Sequence, residues 1–206
     1  MTDVQAFYKI GYGLYVLTAH ENGKDNGCII NTLSQVTTDP NRVTLAVNKA
    51  NYTHDILART KNFTASIISE AADFSLFKHF GFRSGKDVDK FVDFPDVKRT
   101  KNGTLAVCKG TNAYISGQVK EIYDVGTHSI FLADVVDMGM ISDIASATYS
   151  YYQSNIKPKP SGDVPKGKTI WRCKICGYVY EGEELPADFI CPLCKHGAAD
   201  FEKVDG

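Results

Sequence analysis

The 206-residue chain lacks long apolar runs: it contains no stretch of about 18 consecutive apolar residues, the length that a membrane-spanning helix needs. Its first residues also lack the apolar core of a secretory signal peptide. Excess charge is absent too, because 23 Lys and Arg residues are balanced by 24 Asp and Glu residues. Nucleic-acid-binding proteins generally carry a basic surface. We therefore expect a cytoplasmic protein with no membrane and no nucleic-acid partner.

Cysteine is scarce in most of the chain and concentrated near its end. Four of the six cysteines form two C-x-x-C pairs, Cys173 with Cys176 and Cys191 with Cys194, separated by fourteen residues. Two such pairs can bring four thiolates to one metal ion, because each short loop directs backbone N–H groups at its sulfurs. The ligand set admits iron or zinc, and structural zinc ribbons share this spacing.

Aromatic residues flank these pairs and predict a small core around the thiolates: Trp171, Tyr178, Tyr180, Phe189 and Phe201. The runs 171–180 and 185–194 resemble the two halves of a rubredoxin, with the shortened spacer of rubredoxin modules fused to other redox domains. The resemblance implies one iron held by the four cysteines and the transfer of single electrons. A unit of residues 170–206 is too short to fold on its apolar core alone, so we expect the metal to stabilise it.

A linker precedes this unit. Residues 155–168 contain three prolines, two glycines and four lysines, without an apolar period. Prolines favour an extended path. The sequence therefore predicts three parts: a domain over 1–152, a Pro- and Lys-rich linker over 153–169 and the metal-binding domain over 170–206.

The first 152 residues are predicted to be mainly strands. Residues 43–47 alternate apolar and polar side chains, and 63–68, 113–123 and 129–136 are rich in β-forming residues. Helical signals are short, with Thr53 and Ser69 as candidate caps. Many short strands with few helices favour a barrel or sandwich over a doubly wound nucleotide-binding fold.

Four runs in this part, over residues 12–18, 26–37, 81–91 and 126–128, resemble the flavin reductase-like, FMN-binding split barrels. The resemblance implies a mainly-β, Greek-key type split barrel that binds FMN and forms a homodimer. In the last run, threonine replaces the aspartate that this family has before its histidine. That histidine is His128 here, and the resemblance places it near the nicotinamide as the catalytic candidate.

The flavin-binding candidates fall into three groups. Short polar groups suited to the heteroatom edge of an isoalloxazine follow one another along a strand, which can also be a plain exposed edge: Asn31, Thr32, Ser34, Gln35, Val36 and Thr37. A strand end that opens a helix can receive a phosphate or serve only as a cap: Asn48, Lys49 and Thr53. A loop can complete the anion site or be merely solvated: Phe82, Arg83 and Ser84.

The two modules together predict an oxidoreductase. A nicotinamide gives two electrons as a hydride whereas a four-thiolate iron accepts one, and a flavin converts between the two. We expect hydride transfer from NAD(P)H to FMN and single-electron transfer through the four-cysteine iron to a partner. The resemblance to fused flavin reductase–rubredoxin proteins implies a flavodiiron protein, which reduces oxygen or nitric oxide. The alternative is a flavin reductase that releases reduced flavin, with the four-cysteine module as a structural zinc or docking domain.

Overall fold

The structure is a computed structural model that describes residues 6, 9–158, 169–174, 178–191 and 197–205. Strand is the most common secondary structure among the described residues, which confirms the mainly-β prediction. The strands of the first part are β1 (Tyr15–Glu21), β2 (Lys24–Ile30), β3 (Leu33–Thr38), β4 (Asn41–Asn48), β5 (Asn62–Ile68), β6 (Val97–Arg99), β7 (Leu105–Val107), β8 (Thr111–Asp124) and β9 (His128–Met140).

Seven of these strands form one antiparallel sheet in the order β2-β1-β5-β8-β9-β4-β3. Strands β2 and β3 are therefore its two edges, yet only Asn31 and Thr32 separate them along the chain. Because so short a connection spans about 11 Å at most, the two edges must come close together at this end. The sheet thus coils into a barrel with a seam between β2 and β3. Register shifts in the long pair β8 and β9 allow the necessary bending.

Alternate residues of each strand point to the same face of the sheet. The residues that point into the barrel are mainly apolar. In β4 these residues are Val43, Leu45 and Val47, all buried. They join a cluster that includes the fully buried Phe63. Gly117 of β8 is required beside this ring, since a Cβ there would lie 2.5 Å from Phe63 Cζ.

The helices are α1 (Tyr52–Thr60), α2 (Phe74–Gly81) and the short α3 (Tyr149–Tyr151), which continues into a π-helical turn (Tyr152–Ile156). Two predicted caps are wrong. Asn51 occupies the N-cap of α1, so Thr53 lies inside the first turn. Asp73, and not Ser69, caps α2, because its carboxylate accepts a hydrogen bond from Ser75 N at 2.8 Å. None of the helices in the described part of the chain has the length and apolarity needed to span a membrane.

The C-terminal part contains a small sheet in the order β11-β10-β12, formed by β10 (Thr169–Cys173), β11 (Val179–Glu181) and β12 (Phe201–Asp205), with a 3-10 turn at Ala198–Asp200. The predicted aromatic core is confirmed. All five aromatic residues belong to one cluster with two buried cysteines: Trp171, Tyr178, Tyr180, Phe189 and Phe201, around Cys173 and Cys191. Of the predicted linker, residues 159–168 lie outside the described residues, and its first residues continue the helical turn to Ile156.

Candidate cofactor sites

A cavity of about 400 Å³ lies where β4 ends, α1 begins and the loop after α2 passes. Five residues predicted to bind flavin line it together: Asn48, Thr53, Phe82, Arg83 and Ser84. These residues come from two stretches of the chain, 48–53 and 82–84, that are far apart in sequence. The fold therefore brings together two of the three groups of predicted residues, except for Lys49.

The strand end and the helix start form one wall of this cavity. Asn48 is the last residue of β4, and its side-chain Oδ1 accepts a hydrogen bond from Ala50 N at 2.8 Å, which turns the chain into α1. No side-chain hydrogen bond caps the helix start at Asn51. The side chain of the cap residue therefore accepts no hydrogen bond from the N–H groups of the first helical turn. Such groups are suited to a phosphate.

The loop after α2 forms the opposite wall. Asn26 on β2 donates a hydrogen bond to Thr53 Oγ1 at 3.0 Å, and the backbone of Gly85 lies directly against the same side-chain amide. A Cβ at position 85 would overlap Asn26, so only glycine permits this close approach. Ser84 Oγ accepts a hydrogen bond from Lys86 N at 3.2 Å, which fixes the loop beside the cavity.

The cavity carries two positive groups, Arg83 and Lys90, and the described residues that line it include no carboxylate. Lys90 is 3% exposed, and its ammonium donates to Gly27 O at 2.7 Å and to Phe80 O at 3.0 Å. Burial is the main reason that the pKa of Lys90 falls from 10.5 to about 8. Burial also raises the pKa of the neighbouring Cys28, so its thiol stays protonated at neutral pH.

The sequence did not single out Lys90. It lies in the charged run Gly85-Lys-Asp-Val-Asp-Lys90, a composition typical of a solvated loop. Its burial depends on two carbonyl oxygens from distant elements, β2 and α2. No local pattern could have indicated this partnership.

These residues fit the phosphate end of a flavin. A bidentate guanidinium, hydroxyl groups and a helix start are the groups with which proteins bind phosphate. The cavity offers all three through Arg83, Ser84, Thr53 and the start of α1, without a competing negative side chain among the described lining residues.

The third group of predicted residues lies on the edge strand β3 and its approach. Residues Ser34, Gln35 and Val36 are exposed, and the register shifts between Gln35 and Thr37. The Thr32 hydroxyl donates to Ala46 O at 2.7 Å, which links this edge to β4. Ala46 lies two residues before Asn48, which lines the cavity. None of these residues, nor Asn31, is among those that line the cavity described above.

Two further candidates flank the cavity. Lys49 does not line it, because the Lys49 ammonium contacts Asp124 Oδ2 at 2.6 Å and thereby lowers the pKa of that exposed carboxyl. His128 pairs with Asn48 across β4 and β9, so it lies beside the cavity rim. The neighbouring hydroxyl of Thr127 is 2.9 Å from its Nδ1. Thr127, the residue that directly precedes His128, therefore contacts the imidazole.

The structure describes two of the four cysteines that are predicted to bind the metal, Cys173 and Cys191. Cys173 ends β10 and Cys191 follows the isolated bridge at Ile190; both side chains are buried in the aromatic cluster. The knuckle backbone is held by Cys173 N to Tyr178 O and Lys174 N to Asp200 O, both 2.8 Å.

Cys176 and Cys194 lie outside the described residues, so no geometry is assigned to them. Two buried cysteines inside one aromatic cluster are consistent with ligands of a single ion. The donor set of soft thiolates fits iron, and it fits zinc equally well.

Comparison with known proteins gives two family matches. Residues 7–159 match the Flavin reductase like domain, and residues 171–202 match the Rubrerythrin, rubredoxin-like domain. The chain is 32% identical to the high molecular weight rubredoxin of Moorella thermoacetica, over 98% of this chain and 100% of that protein. It is 34% identical to the ferric-chelate reductase (NAD(P)H) of Archaeoglobus fulgidus, over 82% of this chain and 97% of that protein.

Among solved structures, the chain is similar to the Streptomyces globisporus NADH:FAD oxidoreductase SgcE6 in complex with NAD and FAD fragments. The two superpose with a TM-score of 0.62 over 71% of this chain and 86% of that one. At 23% identity, this likeness concerns the fold.

Proposed function

The chain belongs to the flavin reductase like family and carries a rubredoxin-like domain, and we propose that it passes electrons from NAD(P)H singly, through an iron held by four cysteines, to a protein acceptor. Each NAD(P)H becomes NAD(P)⁺ and a proton, and its two electrons reduce two one-electron acceptors. The observation that supports this most is the presence, in one oxidoreductase chain, of a positively charged cavity suited to a flavin phosphate and of buried knuckle cysteines.

FMN is the flavin proposed for the cavity. Arg83 would bind its phosphate, and the hydroxyl groups of Ser84 and Thr53 would donate hydrogen bonds to it. Lys90 supplies a second positive charge from the buried side. Asn48 and the β3 edge around Gln35 offer amide and backbone groups for the isoalloxazine heteroatoms.

His128 is proposed to orient the nicotinamide. Its Nδ1 is engaged by the Thr127 hydroxyl, and within the described residues its Nε2 has no hydrogen-bond partner. An imidazole held in this way can form a hydrogen bond with the nicotinamide carboxamide through Nε2. When bound, the flavin would accept two electrons as a hydride and give them up one at a time. The iron would carry one electron at a time.

The acceptor and the assembly complete the proposal. A flavodiiron protein is the proposed onward partner, in the cytoplasm. A homodimer is supported by the second half of β9, which exposes large apolar side chains at alternate positions: Val136 at 40%, Met138 at 59% and Met140 at 73%. Side chains at alternate positions of a strand share one face, and large exposed apolar surfaces commonly mark protein interfaces.

A second candidate function is release of reduced flavin to solution. The exposure of Ser34, Gln35 and Val36 on the edge strand favours it, because an open isoalloxazine site would let flavin leave. In that case the four-cysteine module serves as a structural zinc or docking domain.

Cofactor composition tests the proposal. The wild-type chain, after gel filtration, should retain FMN and iron in equal amounts. Arg83→Met should lose flavin and keep iron, whereas Lys101→Met, an exposed lysine elsewhere, should keep both. Cys191→Ser should lose iron and keep flavin, with Cys108→Ser as its control. Zinc in place of iron, or flavin that leaves the wild-type chain during filtration, would favour the second function instead.

A further inference from the structure

The metal-binding module contacts the barrel at a ring that also belongs to the flavin cavity. Phe82 directly follows α2 and lines the cavity beside Arg83. The same side chain packs against the buried cluster of Cys173, Cys191 and Phe201. A single aromatic residue therefore contacts both the candidate flavin site and the candidate metal site.

A hydrogen bond forms the second contact. The Lys157 ammonium donates to the carbonyl oxygen of Lys174 at 2.8 Å. Lys174 directly follows Cys173, so the bond reaches the first metal-binding knuckle. Lys157 is itself fixed, because its backbone N–H donates to Tyr152 O at 2.8 Å at the end of the π-helical turn. A hydrogen bond from a charged donor to a neutral acceptor is stronger than a hydrogen bond between two neutral groups.

The contact between the two parts is incomplete. A cavity of about 620 Å³ is lined by Phe77, Tyr149 and Tyr152 on the barrel side and by Lys174 and Asp200 on the module side. The described residues therefore leave a gap between the two parts. Relative motion of two domains is expected unless the interface between them is large and hydrophobic.

We infer that Phe82 and the segment Tyr149–Lys157 form a seat on which the metal module binds reversibly in cis, to collect electrons at the wall of the flavin cavity. This inference rests on the proposed function and adds the place of transfer. Phe82 acts as the positioning residue between the two sites, and Lys157 holds the knuckle. In each transfer the reduced flavin loses one electron and ferric iron becomes ferrous, with no covalent bond formed or broken; two transfers use the electron pair of one hydride.

Lys157→Met tests the seat in the intact, cofactor-loaded chain, with Lys101→Met as the matched control. The first readout is backbone hydrogen exchange in peptides that cover 149–157 and 169–174. Exchange should accelerate in both peptides of Lys157→Met and of Phe82→Ala, while the iron absorption band shows that the module is still folded. Unchanged exchange in both variants would overturn the inference.

The second readout is stopped-flow absorbance after mixing with NAD(P)H. In Lys157→Met the flavin should be reduced at the wild-type rate, and bleaching of the iron band should slow about tenfold, because loss of a charged hydrogen bond lowers the docked population by that order. Wild-type bleaching should be independent of protein concentration. Bleaching that accelerates with protein concentration, or that is equally fast in Lys157→Met, would refute the seat and leave the proposed function standing. Failure of NAD(P)H to reduce the wild-type flavin would instead refute the proposed function.

Discussion

Lys90 should make the stability of the barrel depend on pH in the alkaline range. Its pKa is about 8 in the folded chain, against 10.5 for an ordinary lysine, chiefly because burial disfavours the charged form. Below pH 8 the amine is charged in both states, and the folded state bears the full cost of burying that charge. Between pH 8 and 10.5 the unfolded chain binds the proton and the folded chain does not, so the free energy of unfolding rises with pH.

The size of this effect follows from the same two values. Each pH unit between them contributes about 1.4 kcal/mol, so the whole interval amounts to ~3 kcal/mol. The assay is urea unfolding followed by far-ultraviolet circular dichroism at a series of pH values, on flavin-free protein. Lys90→Met serves as the reference, because it keeps every other group that titrates in this range.

The free energy of unfolding of the wild type minus that of Lys90→Met should therefore increase from pH 8 to 10.5. At pH values well below 8 this difference should stay constant. A difference that is flat across the alkaline range would refute the reasoning. So would a difference that moves in the opposite direction, because it would mean that the two carbonyl oxygens hold the ammonium in its charged form.

Three further predictions concern the core, the assembly and the metal. Gly117→Ala should lower the free energy of unfolding by about 1–3 kcal/mol in urea titrations, because its Cβ would overlap the buried ring of Phe63; an unchanged midpoint would contradict that packing. Met138→Lys should shift the protein from dimer to monomer in sedimentation experiments, since it places a charge on the exposed face of β9, and a wild-type monomer would remove the basis for this proposal. Removal of iron by a chelator should unfold residues 170–206 and leave the barrel intact, as followed by resolved amide signals of both parts; simultaneous loss of both would show that they do not fold independently.

Much of the fold could be predicted because its signals are local. The alternation of Val43, Leu45 and Val47 indicates a strand with one buried face, and the structure has it as β4. The spacing of the cysteines and their aromatic neighbours predicted the small C-terminal core. The two family matches confirm both resemblances drawn from short runs of sequence.

Helix starts were harder to predict, because several polar residues in a row can each serve as a cap. Thr53 is a plausible cap from its residue type, but the turn made by Asn48 starts the helix earlier and leaves Asn51 in the cap position. The Thr53 hydroxyl accepts a hydrogen bond from Asn26 instead. The position of β2, which carries Asn26, decides whether the Thr53 hydroxyl caps the helix or accepts this hydrogen bond.

The parts of the site that depend on distant contacts could not be predicted. Lys49 resembles a phosphate ligand in sequence, but the β8–β9 turn places Asp124 within reach of its ammonium. Lys90 resembles a surface residue until β2 and α2 supply its acceptors. Phe82 was predicted for the flavin site, and its second contact with the metal cluster requires the placement of a separate module.

An anaerobic titration of the purified chain with NADH, and separately with NADPH, tests the central claim most directly. The account predicts that flavin and iron absorption bleach together and that complete reduction takes about 1.5 equivalents of one pyridine nucleotide per chain, since a flavin accepts two electrons and the iron one. Iron absorption that persists after about one equivalent has reduced the flavin would contradict the account, as would a sample that contains zinc and has no ferric-thiolate band.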